Sequence, residues 1–167
     1  MGLSIQANSP SVTAQVQDDP NSEMYNQVLA EITALMNAMT NLDGATNPSG
    51  MSNGDVNNFA DQFTKLYAQL SGLLSQFNHD PDSMDPADRA WFEIPANRSA
   101  VQNMLNALNT PLDGQKGDPS LMSEITAYED GSINISQLKS DISVANQPGN
   151  GEFATIYASY EYSLKDL

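Results

Sequence analysis

The single histidine of the chain stands at the start of a run of carboxylates that could hold a divalent cation. Four aspartates follow His79 closely: Asp80, Asp82, Asp85 and Asp88. Calcium takes roughly six to eight oxygen ligands, usually from a preorganised loop with a conformational glycine. Two prolines interrupt this run and it contains no glycine. We therefore interpret it as a solvated turn whose aspartates cap helices, and we predict no metal site.

A second pattern, Asp130–Ile133, resembles the middle of an EF-hand calcium loop. The first, third and last ligands of such a loop would fall on Thr126, Tyr128 and Gln137. These residues lack the carboxylates that give the loop its affinity for calcium. We predict no calcium site here and no cofactor elsewhere in the chain.

Covalent catalysis needs a nucleophile beside a base. The chain has no cysteine, and His79 is its one histidine. No Gly-x-Ser-x-Gly elbow is present to expose a serine. Carboxylate pairs carry no information in a chain with 21 acidic residues. The sequence therefore predicts no catalytic residues and a non-enzymatic protein.

Charge and hydropathy exclude two classes of partner. The 167 residues carry a net charge of −15, which disfavours nucleic acid and anionic membrane surfaces. No apolar run approaches the roughly 20 residues that span a bilayer. The expected partners are proteins.

The composition of the N-terminal segment is typical of a targeting signal and not of a segment that packs in a core. Residues 1–17 carry no charged side chain, and the first basic residue is Lys65. Polar and small residues of this kind cannot offset their ordering entropy by burial, so we expect residues 1–18 to be a disordered leader and a candidate export signal. A cleavable secretory signal is excluded because a basic start and an apolar stretch are missing. The absence of cysteine suits export, and we expect a secreted or bacterial cell-surface protein.

Two segments with strong helical periodicity predict an antiparallel hairpin over residues 19–78. The helices are expected from about Asp19 to Leu42 and from about Asp55 to Phe77, joined by a connector rich in turn residues. Their apolar positions recur at spacings of three and four, as in a coiled coil. The predicted seam consists of Tyr25, Val28, Ile32, Leu35, Met39, Leu42, Val56, Phe59, Phe63, Leu66, Leu70, Leu73 and Phe77.

Residues 79–167 are expected to form shorter helices packed on that hairpin, giving an all-α protein with one structural domain. Asp85-Pro86 and Asp118-Pro119 are predicted to cap two of these helices. Residues 132–136 alternate like a strand, but a helix capped at Asn134 is favoured. The last stripe, Phe153–Leu167, either docks on the hairpin, or is the start of a longer helix or makes an intermolecular contact.

Two apolar groups are candidates for contact with a partner. Trp91-Phe92 adjoins the acidic link, where large aromatics are typical interface anchors, although packing of their helix onto the hairpin is the favoured alternative. The terminal stripe is the second group. The candidate contact residues are Trp91, Phe92, Phe153, Ile156, Tyr157, Tyr160, Leu164 and Leu167.

These features together resemble the secreted components of type III secretion systems and flagella, in particular the EspA-like filament and tip proteins. The resemblance rests on the leader, on the hairpin Tyr25–Phe77 and on Gln137–Asn146, which looks like the segment before that family's C-terminal coiled-coil helix. It implies an uncleaved export signal, helix pairing and a role in virulence. Two features depart from the family: its long C-terminal helix is missing or cut short here, and the acidic excess is larger, which opposes filament packing.

A second exported class offers a weaker match. Residues 162–166 fit the Tyr-x-x-x-Asp tail of mycobacterial-type helical-hairpin secretion substrates, but the Trp-x-Gly turn of that class is missing.

The sequence thus predicts an exported helical interaction or assembly protein that contacts copies of itself, a secretion chaperone or a translocation apparatus, with homo-oligomers expected. The alternatives are a soluble secreted effector that binds a host protein through the Trp91 region, and a phage or virion structural component. Self-association distinguishes the assembly subunit from a monomeric effector.

Overall fold

A computed structural model describes residues 23–43, 47–117, 119–147, 151–165 and 167. The predicted leader, residues 1–18, lies outside these ranges. The described residues contain seven α-helices and no β-strand, which confirms the all-α prediction. The helices are α1 (Glu23–Asp43), α2 (Asn53–His79), α3 (Pro86–Glu93), α4 (Pro95–Leu108), α5 (Leu121–Glu129), α6 (Ile135–Ala145) and α7 (Glu152–Ser159).

The first two helices form the antiparallel hairpin. The start of α1, at Met24, lies beside Leu73 in the second half of α2. Ser52 caps α2 by accepting a hydrogen bond from the Asp55 amide at 3.1 Å. The seam residues from Tyr25 to Leu42 and from Val56 to Leu70 are buried. Leu73 and Phe77, toward the end of α2, are partly buried and pack against the core.

Helices α3 and α4 pack against the open end of the hairpin. Asp85 caps α3 through its side chain and Pro86 occupies the first turn, as the sequence predicts. The Trp91 ring lies 5.4 Å from the Tyr25 ring, and the Phe92 ring lies 5.7 Å from the Phe77 ring. This aromatic cluster fixes α3 on the hairpin.

Helices α5 and α6 form a second helical pair. Asp118 of the predicted Asp118-Pro119 cap lies outside the described residues. The N-cap of α5 is Ser120, and the side chains of Ser120 and Ser123 bond reciprocally to the backbone. Asn134 caps α6 as predicted, and its side chain accepts from the Gln137 amide at 2.9 Å. Residues after Asn134 are helical, which excludes the strand alternative.

The C-terminal stripe belongs to the protein's own core. Phe153 is 2% exposed, while Ile156 and Leu164 are fully buried. The Phe153 ring lies 5.6 Å from that of Phe59 on α2, and the Tyr25 hydroxyl donates to the Leu164 carbonyl at 3.0 Å. After α7 the chain continues as a π-helical segment, Tyr160–Leu164.

The entry into α7 requires a glycine. A Cβ added at Gly151 would overlap the carbonyl oxygens of Ala145 and Gln147, because the backbone doubles back onto the end of α6. This close approach leaves no room for a side chain where α7 begins.

Burial of the terminal stripe gives a first prediction. Phe153→Ala is expected to lower the free energy of unfolding by about 3–5 kcal/mol, because it leaves a cavity in a packed core. The matched control is Tyr162→Ala, since Tyr162 lies in the same terminal segment but is 85% exposed. That variant is expected to change stability by less than about 0.5 kcal/mol. Urea denaturation followed by circular dichroism measures both, and equal losses would mean that the segment does not dock.

Candidate functional site

The described surface carries a cleft at the open end of the hairpin. Its volume is about 450 Å³, and three helices contribute to its walls. The lining combines three carboxylates, two amides and two apolar side chains. These residues are Glu23, Met24, Gln27, Gln69, Leu73, Asp85 and Asp88.

Local folding signals place each acidic residue of this cleft. Glu23 lies in the first turn of α1 and Asp88 in the first turn of α3. A negative charge at this position interacts favourably with the positive end of the helix dipole. Asp85 is the N-cap of α3, and its Oδ1 accepts from the Ala87 amide at 2.9 Å. The aromatic packing of α3 on the hairpin brings these two helix starts together.

The three carboxylates have no cation of their own. Partial burial, followed by the charges of Asp85 and Glu23, raises the pKa of Asp88. In the described part of the chain no basic side chain forms an ion pair with any of the three. The nearest arginine in sequence, Arg89, is directed to Asp82 at 2.7 Å and to Glu93 at 3.7 Å. The cleft therefore concentrates uncompensated negative charge.

A buried acid orients one of the cleft amides. Glu31 on α1 is 6% exposed, and its Oε2 accepts from Gln27 Nε2 at 3.3 Å. The three carboxylates of the cleft are acceptors when ionised, which suits a ligand that donates hydrogen bonds.

The residues of the acidic run after α2 lie in different environments. His79 is exposed at the last turn of α2, and Asp80 follows it as the C-cap. Asp82 pairs with Arg89, whereas Asp85 and Asp88 face the cleft. Among the described residues no group of three or more histidines, cysteines or acids could hold a metal ion.

The candidate partner contacts lie mainly inside the molecule. Trp91 is 3% exposed and Phe92 is fully buried, so the alternative of packing on the hairpin describes them. Asn97 Nδ2 donates to the Trp91 carbonyl at 2.9 Å, which holds the end of α3 against α4.

The terminal stripe is equally unavailable to a partner in this structure. Its proposed contact residues Phe153, Ile156 and Leu164 are buried, and the others pack against the core while partly exposed: Tyr157, Tyr160 and Leu167. Its apolar residues complete the cover of the hairpin, and contact with a partner through this stripe stays a prediction.

Sequence reasoning missed the cleft because its walls come from distant parts of the chain. Glu23 and Asp88 each look like ordinary first-turn acids, and nothing in the local pattern of either residue indicates the other. The signal that could have joined them is the pair of aromatics in α3, which dictates where that helix docks.

Comparisons with known proteins give no relative: no protein-family model, no curated protein and no solved structure matches this chain. Within the described residues, no helix combines the length and the apolarity needed to cross a membrane.

A second unusual acid lies far from the cleft. The side chain of Glu152 is fully buried at the start of α7, and its Oε1 accepts from the Leu121 amide at 2.8 Å. Its own amide donates to the Leu112 carbonyl at 3.1 Å, so the residue fastens both ends of the loop before α5. Burial raises the pKa of Glu152 to about 9, and the group is protonated at neutral pH.

Glu152 makes stability fall as pH rises. Its folded-state pKa exceeds the unfolded value of 4.5, so folding binds a proton and the benefit is lost progressively toward pH 9. Between pH 7.5 and 8.5 the free energy of unfolding is expected to fall by up to about 1.4 kcal/mol more in the native protein than in Glu152→Gln. Urea denaturation at both pH values measures this, with Glu129→Gln as the exposed control. Parallel curves for the native protein and Glu152→Gln would contradict it.

Proposed function

We propose that this chain is an exported, non-enzymatic helical interaction protein, a component or substrate of a type III-like secretion system. The observation that carries the interaction role is the cleft between α1, α2 and α3, which joins unpaired carboxylates to an apolar wall. We propose that it receives a basic side chain from a protein partner.

The chemistry of the cleft fits an arginine or a lysine of that partner. Such side chains lay an alkyl stem on apolar surface while the charged head makes hydrogen bonds. Met24 and Leu73 would contact the stem, and the carboxylates of Glu23 and Asp88 would receive the head. Charge-assisted bonds of this kind contribute more than neutral ones, particularly to a carboxylate that is partly desolvated.

The size of the cleft limits what enters it. A volume of about 450 Å³ accommodates one or two side chains, not a whole helix. A partner would therefore present a short basic segment, and the net charge of −15 would steer it toward the protein.

The hairpin seam and the terminal stripe are buried within one molecule. For two copies of the chain to pair through either of them, the fold would have to open. This favours a subunit or effector that docks as a folded domain over one that polymerises by exchanging these stripes.

Removing charge from the cleft tests the interaction. The double variant Glu23→Gln with Asp88→Asn is expected to weaken binding of a fluorescent peptide of alternating arginines and leucines by about tenfold or more, because two charge-assisted contacts are lost. Fluorescence anisotropy on the full chain measures the affinity.

The matched control is Asp61→Asn with Glu129→Gln. It removes the same number of negative charges, at exposed positions outside the cleft. It is expected to leave the affinity within about twofold, as distant surface charges are screened by salt. Equal weakening by both double variants would show that the peptide responds to net charge alone, and the cleft would be rejected as its site.

Export is tested separately, because it rests on the leader and not on the cleft. Residues 1–20 fused to a reporter are expected to direct its release from a bacterium with a type III apparatus, but not from the mutant that lacks the secretion ATPase. The unfused reporter is the control. Retention of the fusion in both strains would contradict the export role.

A further inference from the structure

One peptide bond at the end of α2 is surrounded by the groups that cleavage of the chain by its own side chain requires. The sequence contains four Asp-Pro bonds, and two of them lie within the described residues, Asp80-Pro81 and Asp85-Pro86. A carboxylate is a nucleophile, and an aspartate reaches its own carbonyl carbon by closing a five-membered ring. Proline is a suitable leaving group because its nitrogen belongs to a tertiary amide. The surroundings of each bond therefore decide which of the two reacts.

The carbonyl oxygen of Asp80 accepts two hydrogen bonds from Ser83. The Ser83 amide donates to it at 3.2 Å, and Ser83 Oγ donates to it at 2.9 Å. Gln76 Nε2 donates to Ser83 Oγ at 2.9 Å, so the single hydrogen of the hydroxyl is left for Asp80. Donors in this position stabilise the negative charge that develops on a carbonyl oxygen under attack.

The carboxyl group of Asp80 is exposed and has no other structural role. Although Asp80 is the N-cap of the turn Pro81–Ser83, its side chain makes no capping bond, and it joins no ion pair within the described part of the chain. The backbone around it is held in place, because its amide donates to the Gln76 carbonyl at 2.8 Å and the Met84 amide donates to the Pro81 carbonyl at 3.1 Å. The carboxylate is therefore free to turn onto a carbonyl group whose position is fixed.

The neighbouring Asp85-Pro86 bond lacks both features. Asp85 Oδ1 accepts from the Ala87 amide at 2.9 Å, so this carboxylate is engaged in capping α3. Its carbonyl oxygen accepts from the Arg89 amide at 2.9 Å, as in an ordinary helical turn, and receives no hydroxyl. The two bonds thus form a matched pair in one chain, one with the groups for attack in place and one without them.

We propose that the chain cleaves itself at the Asp80-Pro81 bond, with Asp80 as the nucleophile and Ser83 as the donor that stabilises the oxyanion. A carboxylate oxygen of Asp80 bonds to the carbonyl carbon of the same residue, and the carbonyl oxygen becomes negative. The C–N bond to Pro81 then breaks, the prolyl nitrogen takes a proton from solvent, and Asp80 is left as a cyclic anhydride. One water molecule opens the anhydride, so the net reaction is hydrolysis of one peptide bond.

This reaction is a single turnover of the chain on itself and stands independently of the cleft and of the proposed function. It would separate the hairpin from the helices that follow it. The two pieces would remain associated, because the Phe92 ring packs on that of Phe77 at 5.7 Å and the Phe153 ring on that of Phe59 at 5.6 Å. The cleaved protein is therefore expected to elute as one species until urea separates its halves.

Intact-mass spectrometry of the full chain tests the proposal. In mildly acidic buffer, where solvent supplies the proton for the leaving nitrogen, cleavage at Asp80-Pro81 is expected to be at least about tenfold faster than at Asp85-Pro86. In urea, where the Ser83 donors are no longer placed on the carbonyl oxygen, that excess is expected to disappear. The proposal is overturned if the two bonds react equally in the folded chain, or if unfolding leaves their ratio unchanged.

Three variants separate the roles of the side chains. Asp80→Ala is expected to abolish cleavage at this bond, and Ser83→Ala to slow it by about tenfold, less than the loss of a buried oxyanion donor in an enzyme. Ser75→Ala, which changes an exposed serine of α2, is the matched control and is expected to cleave at the native rate. Circular dichroism checks that each variant is folded. Cleavage of Asp80→Ala at the native rate would rule out the nucleophile, and an unchanged rate in Ser83→Ala would rule out the oxyanion donor.

Hydroxylamine tests the anhydride itself. If it is present during the reaction, the fragment that ends at Asp80 is expected to carry a hydroxamate, because hydroxylamine opens the anhydride in competition with water. Direct attack of water on the peptide bond would leave only carboxyl groups on that fragment. A fragment without hydroxamate would therefore overturn the proposed mechanism.

Discussion

The structure depends on covering the apolar face of its helical hairpin with the chain's own C-terminal helices. Two paired amphipathic helices leave part of their apolar surface exposed. Each Å² of apolar surface removed from water contributes about 25 cal/mol to the stability of the fold. The Phe153 ring against Phe59 and the Tyr25 hydroxyl on the Leu164 carbonyl close that face. Because the apolar stripes are buried within the molecule, the proposed recognition of a partner depends on the more polar surface.

That surface has a marked shortage of positive charge. Six basic residues face 21 acidic ones, so many carboxylates must do without an ion pair. Inside the core a proton neutralises the buried acid, as at Glu152, because a buried carboxyl group is less costly when neutral. In the open cleft no described basic side chain pairs with the carboxylates, and the basic side chain of the proposed partner would supply that charge.

The sequence predicts the helices of this fold better than it predicts how they dock and which residues they bring together. Helical periodicity locates both hairpin helices, and the side-chain caps Asp85 and Asn134 mark two helix starts, because these signals lie within a few residues of each other. Ser120 was missed since the Asp-Pro pair beside it is the stronger local signal. The cleft and the burial of Glu152 were also missed, because each depends on how separate helices dock, and a first-turn acid normally faces solvent.

The cleft and the buried Asp141 lie at different ends of the hairpin, which makes them physically separable. The cleft is built on the start of α1, whereas α6, which carries Asp141, packs on the turn Pro48–Gly50 at the opposite end. Helix α2 runs between these ends over 27 residues, a length of about 40 Å. This exceeds the range of screened charge interactions in physiological salt several times over. Protonation of Asp141, the pKa of which burial raises to about 7, therefore acts on the cleft only if it changes the packing of α2, and direct electrostatic influence is negligible.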